Sequence, residues 1–400
     1  MNTALKDKLQ ILARAYHQDA ISLRRHLHQH PELSFQEVET GHWVADQLAA
    51  LGIEHQHGIA ENGVVGIIRG NKSSDKVVAL RADMDALPIQ EENDKPYKSQ
   101  RDGIMHACGH DAHTASLLVT ARLLQEMRDE FGGTVKLIFQ PAEEKIPGGA
   151  SIMIKEGVLE NPDPICIFGQ HVHPPLEAGK IGMKPGIYMA SADEIYVTVK
   201  GKGGHGATPN RCIDPVLIAS HIIIALQQIV SRNADPTLPS VLTFGKINSK
   251  GGATNIIPDE VYLEGTFRTL DETWREEAHQ RMIKMAQSIA EGMGGSCDFR
   301  IDRGYPVLFN DEKLTAKAWL YAIEYLGKEN VVELPLRMTA EDFAYYSQHI
   351  PACFYRLGTG NAAKKTTSAL HTSTFDIDED SLALSTGLMA WMAIRELGGD

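Results

Sequence analysis

The chain has 400 residues, 43% hydrophobic and 23% charged, a soluble globular composition too long for one ordinary core and suited to two domains. Its net charge of −13 argues against the basic face that a nucleic acid or an anionic membrane would favour, so neither is expected as a partner. No run of about 18 apolar residues is read in it and "MNTALKDKLQ" lacks a signal-peptide core, which leaves the cytoplasm as the expected location. The five cysteines, Cys108, Cys166, Cys212, Cys297 and Cys353, are odd in number and widely spaced, a pattern of reduced thiols.

In chain order, the first 50 residues read as helices. Leu5, Leu9, Leu12 and Tyr16 recur at helical spacing, a second run ends at Pro31, and "QEVETGHWVADQLAALG" stops at Gly52. His17, His26, His28 and His30 read as ordinary helix and turn histidines, because no carboxylate or cysteine stands beside them at ligand spacing. Short β-branched runs follow at 64–68, 76–83, 134–140 and 164–171, with the helical stretch 113–127 between two of them. This alternation predicts an α/β domain, and near-continuous apolar strands predict burial on both faces. "RADMD", "QPAEE" and "GQHVH" fall at the C-terminal ends of three of these strands, the edge where open α/β sheets build their sites.

From about 189 the pattern changes to alternating strands and two helices in the order β-α-β-β-α-β, ending with "CDFRIDR" at 297–303. After 304 the helix-rich character returns. The expected fold is therefore a larger α/β domain with a central, mostly parallel sheet (1–188 plus 304–400), interrupted by a smaller α+β, ferredoxin-like domain (189–303).

The polar clusters carry the chemistry. "MHACGHDAH" at 105–113 fits a thiol nucleophile beside a histidine base, a metal site, or a chance grouping on a surface turn. Gly109 makes a tight turn plausible, with Cys108 and His110 at a helix N-terminus and His106 and His113 pointing elsewhere. "QPAEE" offers Glu143 and Glu144, one to ligate and one to face a bound water. In "GQHVH", His171 is the better ligand and His173 a rim residue, with Pro174 ending the strand. "ALHTSTF" adds His371, and Asp83 and Asp85 of "RADMD" lie nearby on the sheet edge. Cys108, His110, Glu144, His171 and His371 are more ligands than one zinc uses, and two metals sharing one ligand fit the set.

Taken together, "HLHQHPELSFQE", "RADMDALP", "MHACGHDAH", "QPAEE", "GGHGATP", "NIIPDEVYLEGTFR", "EDFAYY" and "LHTSTF" resemble the dinuclear metallo-amidohydrolases of the aminoacylase and carboxypeptidase superfamily. More narrowly they resemble the branch of hippurate hydrolases, N-acyl-amino-acid amidohydrolases and plant auxin-conjugate hydrolases. The motifs run in order from about residue 24 to about 376. The resemblance implies a catalytic domain interrupted by a lid that commonly forms a homodimer contact. It implies Cys108, His110, Glu144, His171 and His371 as metal ligands, with Cys108 as the bridge, and Glu143 as general base. It implies second-layer hydrogen bonds from Asp83 and Asp85, oxyanion stabilisation by His205, in cis or from a second subunit, and substrate carboxylate or backbone contacts from Asn255 and Arg268.

Two divalent ions are thus expected as cofactors, with zinc favoured by the thiolate and manganese, cobalt or nickel as alternatives. The implied activity is hydrolysis of the amide bond of N-acyl amino acids, aromatic acyl groups included. A dipeptidase or carboxypeptidase with the same metals is the alternative, and a non-catalytic metal-dependent binding module the remote one. The chain departs from the family pattern at Asn210, where relatives often have histidine, and at Ser373, where a proline is common nearby. Both bear on substrate preference more than on the ligands.

Overall fold

The structure is a computed structural model that describes residues 3–251 and 253–398. The chain divides into two compact units, one of Met1–Tyr188, Phe309–Leu336 and Asp342–Asp400, the other of Met189–Leu308 with Arg337–Glu341.

The first unit is built on an eight-stranded mixed sheet. Its order is Glu54–Ile59, Gly63–Arg69, Gly132–Gln140, Lys72–Asp83, Cys166–Glu177, Ala352–Gly360, Ile181–Met183 and Val331–Glu333. The four central strands, 132–140, 72–83, 166–177 and 352–360, run parallel, and strands 63–69 and 181–183 join them antiparallel on either side. Residues 77–83 and 166–174 are buried without alternation, as strands covered on both faces must be. Helices His110–Glu126 and Ser381–Leu397 lie against this sheet and each other, almost wholly buried. Lys136, a buried cation on the sheet, donates through Nζ to the carbonyls of Val158 (2.9 Å) and Glu160 (2.7 Å), which offsets the cost of burying it.

Pro174 does not end its strand. The strand continues to Glu177 because its pairing with 352–360 shifts register between Gly358 and Gly360, and an irregularity of this kind tolerates residues without an N–H. His171 and His173 therefore stand inside a strand, both buried, rather than at its end.

The second unit has a four-stranded antiparallel sheet in the order Ser240–Ser249, Glu260–Thr269, Asp193–Lys200, Ser296–Arg303, with helices Pro215–Gln228 and Glu272–Gly292. The strand order and the β-α-β-β-α-β succession are ferredoxin-like. Strand 193–200 alternates between buried and more exposed positions, so one face packs on the helices while the other is wetter. Both helices are capped by aspartates: Asp214 accepts the N–H groups of Val216 and Leu217, and Asp271 that of Trp274. Pro215–Asn233 is long and apolar enough to cross a membrane by length and composition, with a mean hydropathy of 1.3. The window averages over Ser220, His221 and Gln227. Its Ile218, Ile222, Leu226 and Ile229 are buried in the core of this unit.

A candidate metal centre in the first unit

The site is assembled at the sheet edge from four separate segments. Cys108 precedes helix His110–Glu126, whose N-cap Gly109 has φ +86°, a left-handed conformation that disfavours side chains. A Cβ on Gly109 would also clash with Val172 Cγ2. Gly109→Ala is therefore expected to lower stability by about 1–3 kcal/mol through strain and overpacking, measurable by urea unfolding. An unchanged midpoint would mean that the turn is not constrained in this way.

Six side chains from positions 108, 110, 143, 144, 171 and 371 converge. Cys108 Sγ lies 3.3 Å from His171 Nε2 and 3.3 Å from His371 Nε2. Glu144 Oε1 is 3.2 Å from His371 Nε2 and 3.9 Å from His110 Nε2, and Glu143 Oε2 is 4.0 Å from His110 Nε2. These are near approaches between lone-pair donors. His110 Nε2 and Glu144 Oε1 are buried, and neither makes a hydrogen bond among the described residues, the short approach to His371 included. Buried polar atoms are normally paired, so a pair of orphans facing one space fits a bound cation.

Among the described residues five overlapping groups could each hold an ion: Cys108, His110 and His171; Cys108, Glu144 and His371; His110, Glu143 and Glu144; Asp83, His110 and His113; and Glu143, Glu341 and Asp342. The first two share only the Cys108 sulfur. His371, whose side chain is half exposed, is placed by its N–H donating to the Ala107 carbonyl (2.8 Å) and by a left-handed backbone, φ +62°.

The tautomers are set by outer contacts. His110 Nδ1 faces the Asp85 carbonyl (2.9 Å) and Asp85 Oδ1 (3.2 Å), and His171 Nδ1 faces the Val172 carbonyl (2.7 Å), so both present Nε2 to the cluster. Burial opposes charge on His110, yet Asp83, Asp85 and Glu144 push it up to about 10. The pocket thus favours positive charge at Nε2. His171 is held well below its ordinary value by burial and by Arg356. Burial, then Glu144, Glu143 and Asp83, raise the Cys108 thiol well above its usual range. A nucleophilic cysteine needs the reverse, a depressed pKa, so the surroundings disfavour the thiol-nucleophile alternative.

Asp83 and Asp85 lie behind this cluster. Asp83 contacts His113 Nδ1 (2.6 Å) and accepts from Arg81 (2.6 Å), and His113 Nε2 accepts the Val172 N–H (2.9 Å). Both nitrogens of His113 are therefore committed, and the ring braces the strand that carries His171. His106 is buried beside His28 and Asp111 with neither ring nitrogen hydrogen-bonded among the described residues, and burial lowers it to about 4. Asp85 accepts the Ser34 hydroxyl (2.6 Å) and the N–H groups of Glu143 (3.0 Å) and Glu144 (2.9 Å).

Sequence reasoning missed a further layer. His28 is no ordinary helix histidine: it is buried between Asp111 Oδ2 (2.8 Å) and Glu91 Oε1 (3.2 Å). Arg24, fully buried, pairs with Asp111 (2.7 Å) and Asp376 (2.8 Å), and Tyr97 donates to Asp376 (2.8 Å). These carboxylates come from segments 63 to 352 residues away, which local spacing cannot disclose. Glu37 was also missed. It is buried, accepts the Ala142 N–H, and is pushed up to about 7 by burial and by Asp85.

His205, Asn255 and Arg268 belong to the second unit. His205 pairs with Ile256 in a short ribbon, and the Gly206 N–H donates to the Asn255 carbonyl (2.7 Å), so His205 and Asn255 are neighbours. His205 is exposed, and its Nδ1 accepts the Ala207 N–H (3.1 Å), which leaves the proton on Nε2. Arg268 stands on strand Glu260–Thr269 with one buried guanidinium nitrogen, Nη1, unpaired among the described residues.

Residues 79–394 match the model of peptidase family M20/M25/M40. An N-acyl-L-amino acid amidohydrolase of Geobacillus stearothermophilus is 44% identical over 77% of this chain and 82% of its own length. Thermostable carboxypeptidase 2 of Saccharolobus solfataricus is 41% identical over 94% of both chains. The crystal structure of the Bacillus subtilis YXEP protein, described as a dinuclear metal binding peptidase from the M20 family, superposes with a TM-score of 0.82. It is 38% identical, over 97% of this chain and all of that one.

Proposed function

The chain belongs to peptidase family M20/M25/M40, and from that premise we propose that it hydrolyses the amide bond of N-acyl amino acids at a pair of divalent cations. The observation that carries this is the pair of three-residue groups sharing only Cys108. Cys108, His110 and His171 would hold one ion, Cys108, Glu144 and His371 the other. Bound there, the cations supply Lewis-acid polarisation of the amide carbonyl and a water of lowered pKa. The thiolate favours zinc, and manganese, cobalt or nickel suit the nitrogen and oxygen donors.

Glu143 is the proposed proton carrier. Its carboxylate faces the same space as His110 Nε2 and Glu144, and its backbone is pinned by Asp85. It takes a proton from the attacking water and returns it to the leaving nitrogen, as general base and then general acid. Asp83 and Asp85 orient the ligands and Glu143 without touching substrate. In the second unit, His205 would donate from Nε2 to the developing oxyanion, in cis or from a second copy. Arg268 Nη1, unpaired among the described residues, suits a free carboxylate, with Asn255 assisting at the substrate backbone. The first unit then carries the chemistry, and the second acts as a lid. Cytoplasmic location remains the expectation from the sequence.

The test is a substrate panel of N-aroyl amino acids, N-acetyl amino acids, dipeptides and N-acyl amino acid methyl esters. N-acyl amino acids should give the highest kcat/KM, and the esters, which lack the free carboxylate, a raised KM. A preference for dipeptides would favour the peptidase reading, which the carboxypeptidase relative supports. Activity that survives chelators but is lost to thiol alkylation would reverse the assignment of Cys108.

The second unit also supports a homodimer. Strand Ser240–Ser249 is an uncovered sheet edge within that unit, with Val241 and Ile247 exposed, and Val216, Leu217 and Ile224 are exposed on helix Pro215–Gln228. Ile224→Asp should convert a dimer to a monomer by light scattering. A wild-type protein that is monomeric at micromolar concentration would contradict this.

A further inference from the structure

The short turn that carries Glu143 and Glu144 presents three consecutive backbone N–H groups, and each is taken by a buried carboxylate. Glu143 and Glu144 donate to the two oxygens of Asp85, at 3.0 and 2.9 Å. Ala142, one residue earlier, donates instead to Glu37 Oε1 at 2.7 Å. Ala142 adopts φ +52°, a conformation alanine does not favour, and its carbonyl accepts the Gly149 N–H at 2.9 Å. The peptide at 142 is thus held in place against its own preference from both sides.

Glu37 itself is fully buried. Its other side-chain hydrogen bond is a long one, 3.4 Å from Asn62 Nδ2. Its short bond is therefore spent on the residue that precedes Glu143. The same segment reaches this turn by a second route, because Ser34 donates to Asp85 at 2.6 Å. If the function were only to fill space, an apolar side chain would serve without placing a second carboxyl beside Asp85.

We propose that Glu37 is a positioning residue for proton transfer: by holding the Ala142 N–H it sets where the Glu143 carboxylate stands relative to His110 and Glu144. The role rests on the reading of Glu143 as proton carrier. Glu37 belongs to none of the candidate ion groups. Its loss should misplace the proton carrier while leaving the ligand set in place: Cys108, His110, His171 and His371 come from segments that Glu37 does not bond, and Glu144, on the same turn, keeps the bond of its own N–H to Asp85.

The experiment compares wild type with Glu37→Ala, Glu37→Asp, Glu37→Gln and, as reference, Glu143→Ala. Steady-state kinetics on an N-acyl amino acid are read beside metal content by elemental analysis and the melting temperature. Glu37→Ala should lower kcat by about 10- to 100-fold, the usual loss for a group acting through another, with KM and metal content unchanged. Glu37→Asp keeps the charge but withdraws the oxygen by one methylene, and should lose kcat in the same way. Glu37→Gln keeps an acceptor for the Ala142 N–H and should recover most of the rate.

The inference is overturned if Glu37→Asp and Glu37→Ala retain wild-type kcat while Glu143→Ala is inactive. It is also overturned if their loss of kcat tracks lost metal or lowered melting temperature, or if Glu37→Gln is as impaired as Glu37→Ala. Should Glu37→Ala fail to fold, Glu37→Asp against Glu37→Gln decides alone. An active Glu143→Ala would instead remove the reading on which the role rests.

Discussion

Glu143→Ala is expected to bind its metal complement as wild type does and to lose turnover by about 10²- to 10⁴-fold, the range a positioned acid–base group contributes. At 1.36 kcal/mol per tenfold this is about 3–5 kcal/mol of transition-state stabilisation. The separation of the two effects follows from geometry. Neither group that contains Cys108 uses Glu143, whose carboxylate stands 4.0 Å from His110 Nε2. Stopped assays for kcat, read beside elemental analysis, check both halves. Substantial remaining turnover would move the proton carrier elsewhere. A parallel loss of metal would make Glu143 a ligand.

The second large effect belongs to Cys108. Its sulfur is the only atom common to the two groups that stand for separate ions, so Cys108→Ala removes a donor from both at once. Metal affinity should fall by more than the roughly 10- to 100-fold typical of outer partners, and activity should fall with it. Cys108→Asp supplies a carboxylate that can reach two ions with two oxygens and should recover much of the binding. Calorimetric titration of chelated protein with zinc distinguishes these outcomes. If Cys108→Ala still binds two ions with wild-type affinity, the bridge is not the sulfur.

The parts of this molecule that sequence discloses are those where residue chemistry is specialised and position is set by local pattern. The alternation at 193–200 and the apolar run at 77–80 show how their strands are buried, because burial imposes the period directly. Cys108, His110, Glu143, Glu144, His171 and His371 stand out because such donors cluster near strand ends and a helix start, and the fold brings all six together. The hidden parts are pairings across long separations. Glu37 meets Ala142 across 105 residues and Arg24 meets Asp376 across 352, so neither has a local signature. His28 looks unremarkable on its helix because its carboxylates arrive from Glu91 and Asp111. Pro174 misleads for a different reason: a proline argues for the end of a strand, unless the neighbouring strand shifts register at that point.

The electrostatics of the centre also explain why a cation belongs there and an activated thiol does not. Four carboxylates, Asp83, Asp85, Glu143 and Glu144, stand close to His110, and the buried guanidinium of Arg81 is shared between Asp83 and Asp342. Without a cation, the balance is met by protons on His110 and on the Cys108 thiol. Ions displace those protons, so binding should release them and weaken as pH falls.

The central claim is tested most directly by adding zinc or manganese stepwise to chelated protein and following turnover of an N-acyl amino acid against ions bound per chain. Activity should be absent in the chelated protein and rise as binding proceeds to two ions per chain. Full activity in metal-free protein, or saturation of activity with no ion bound at these residues, would contradict it.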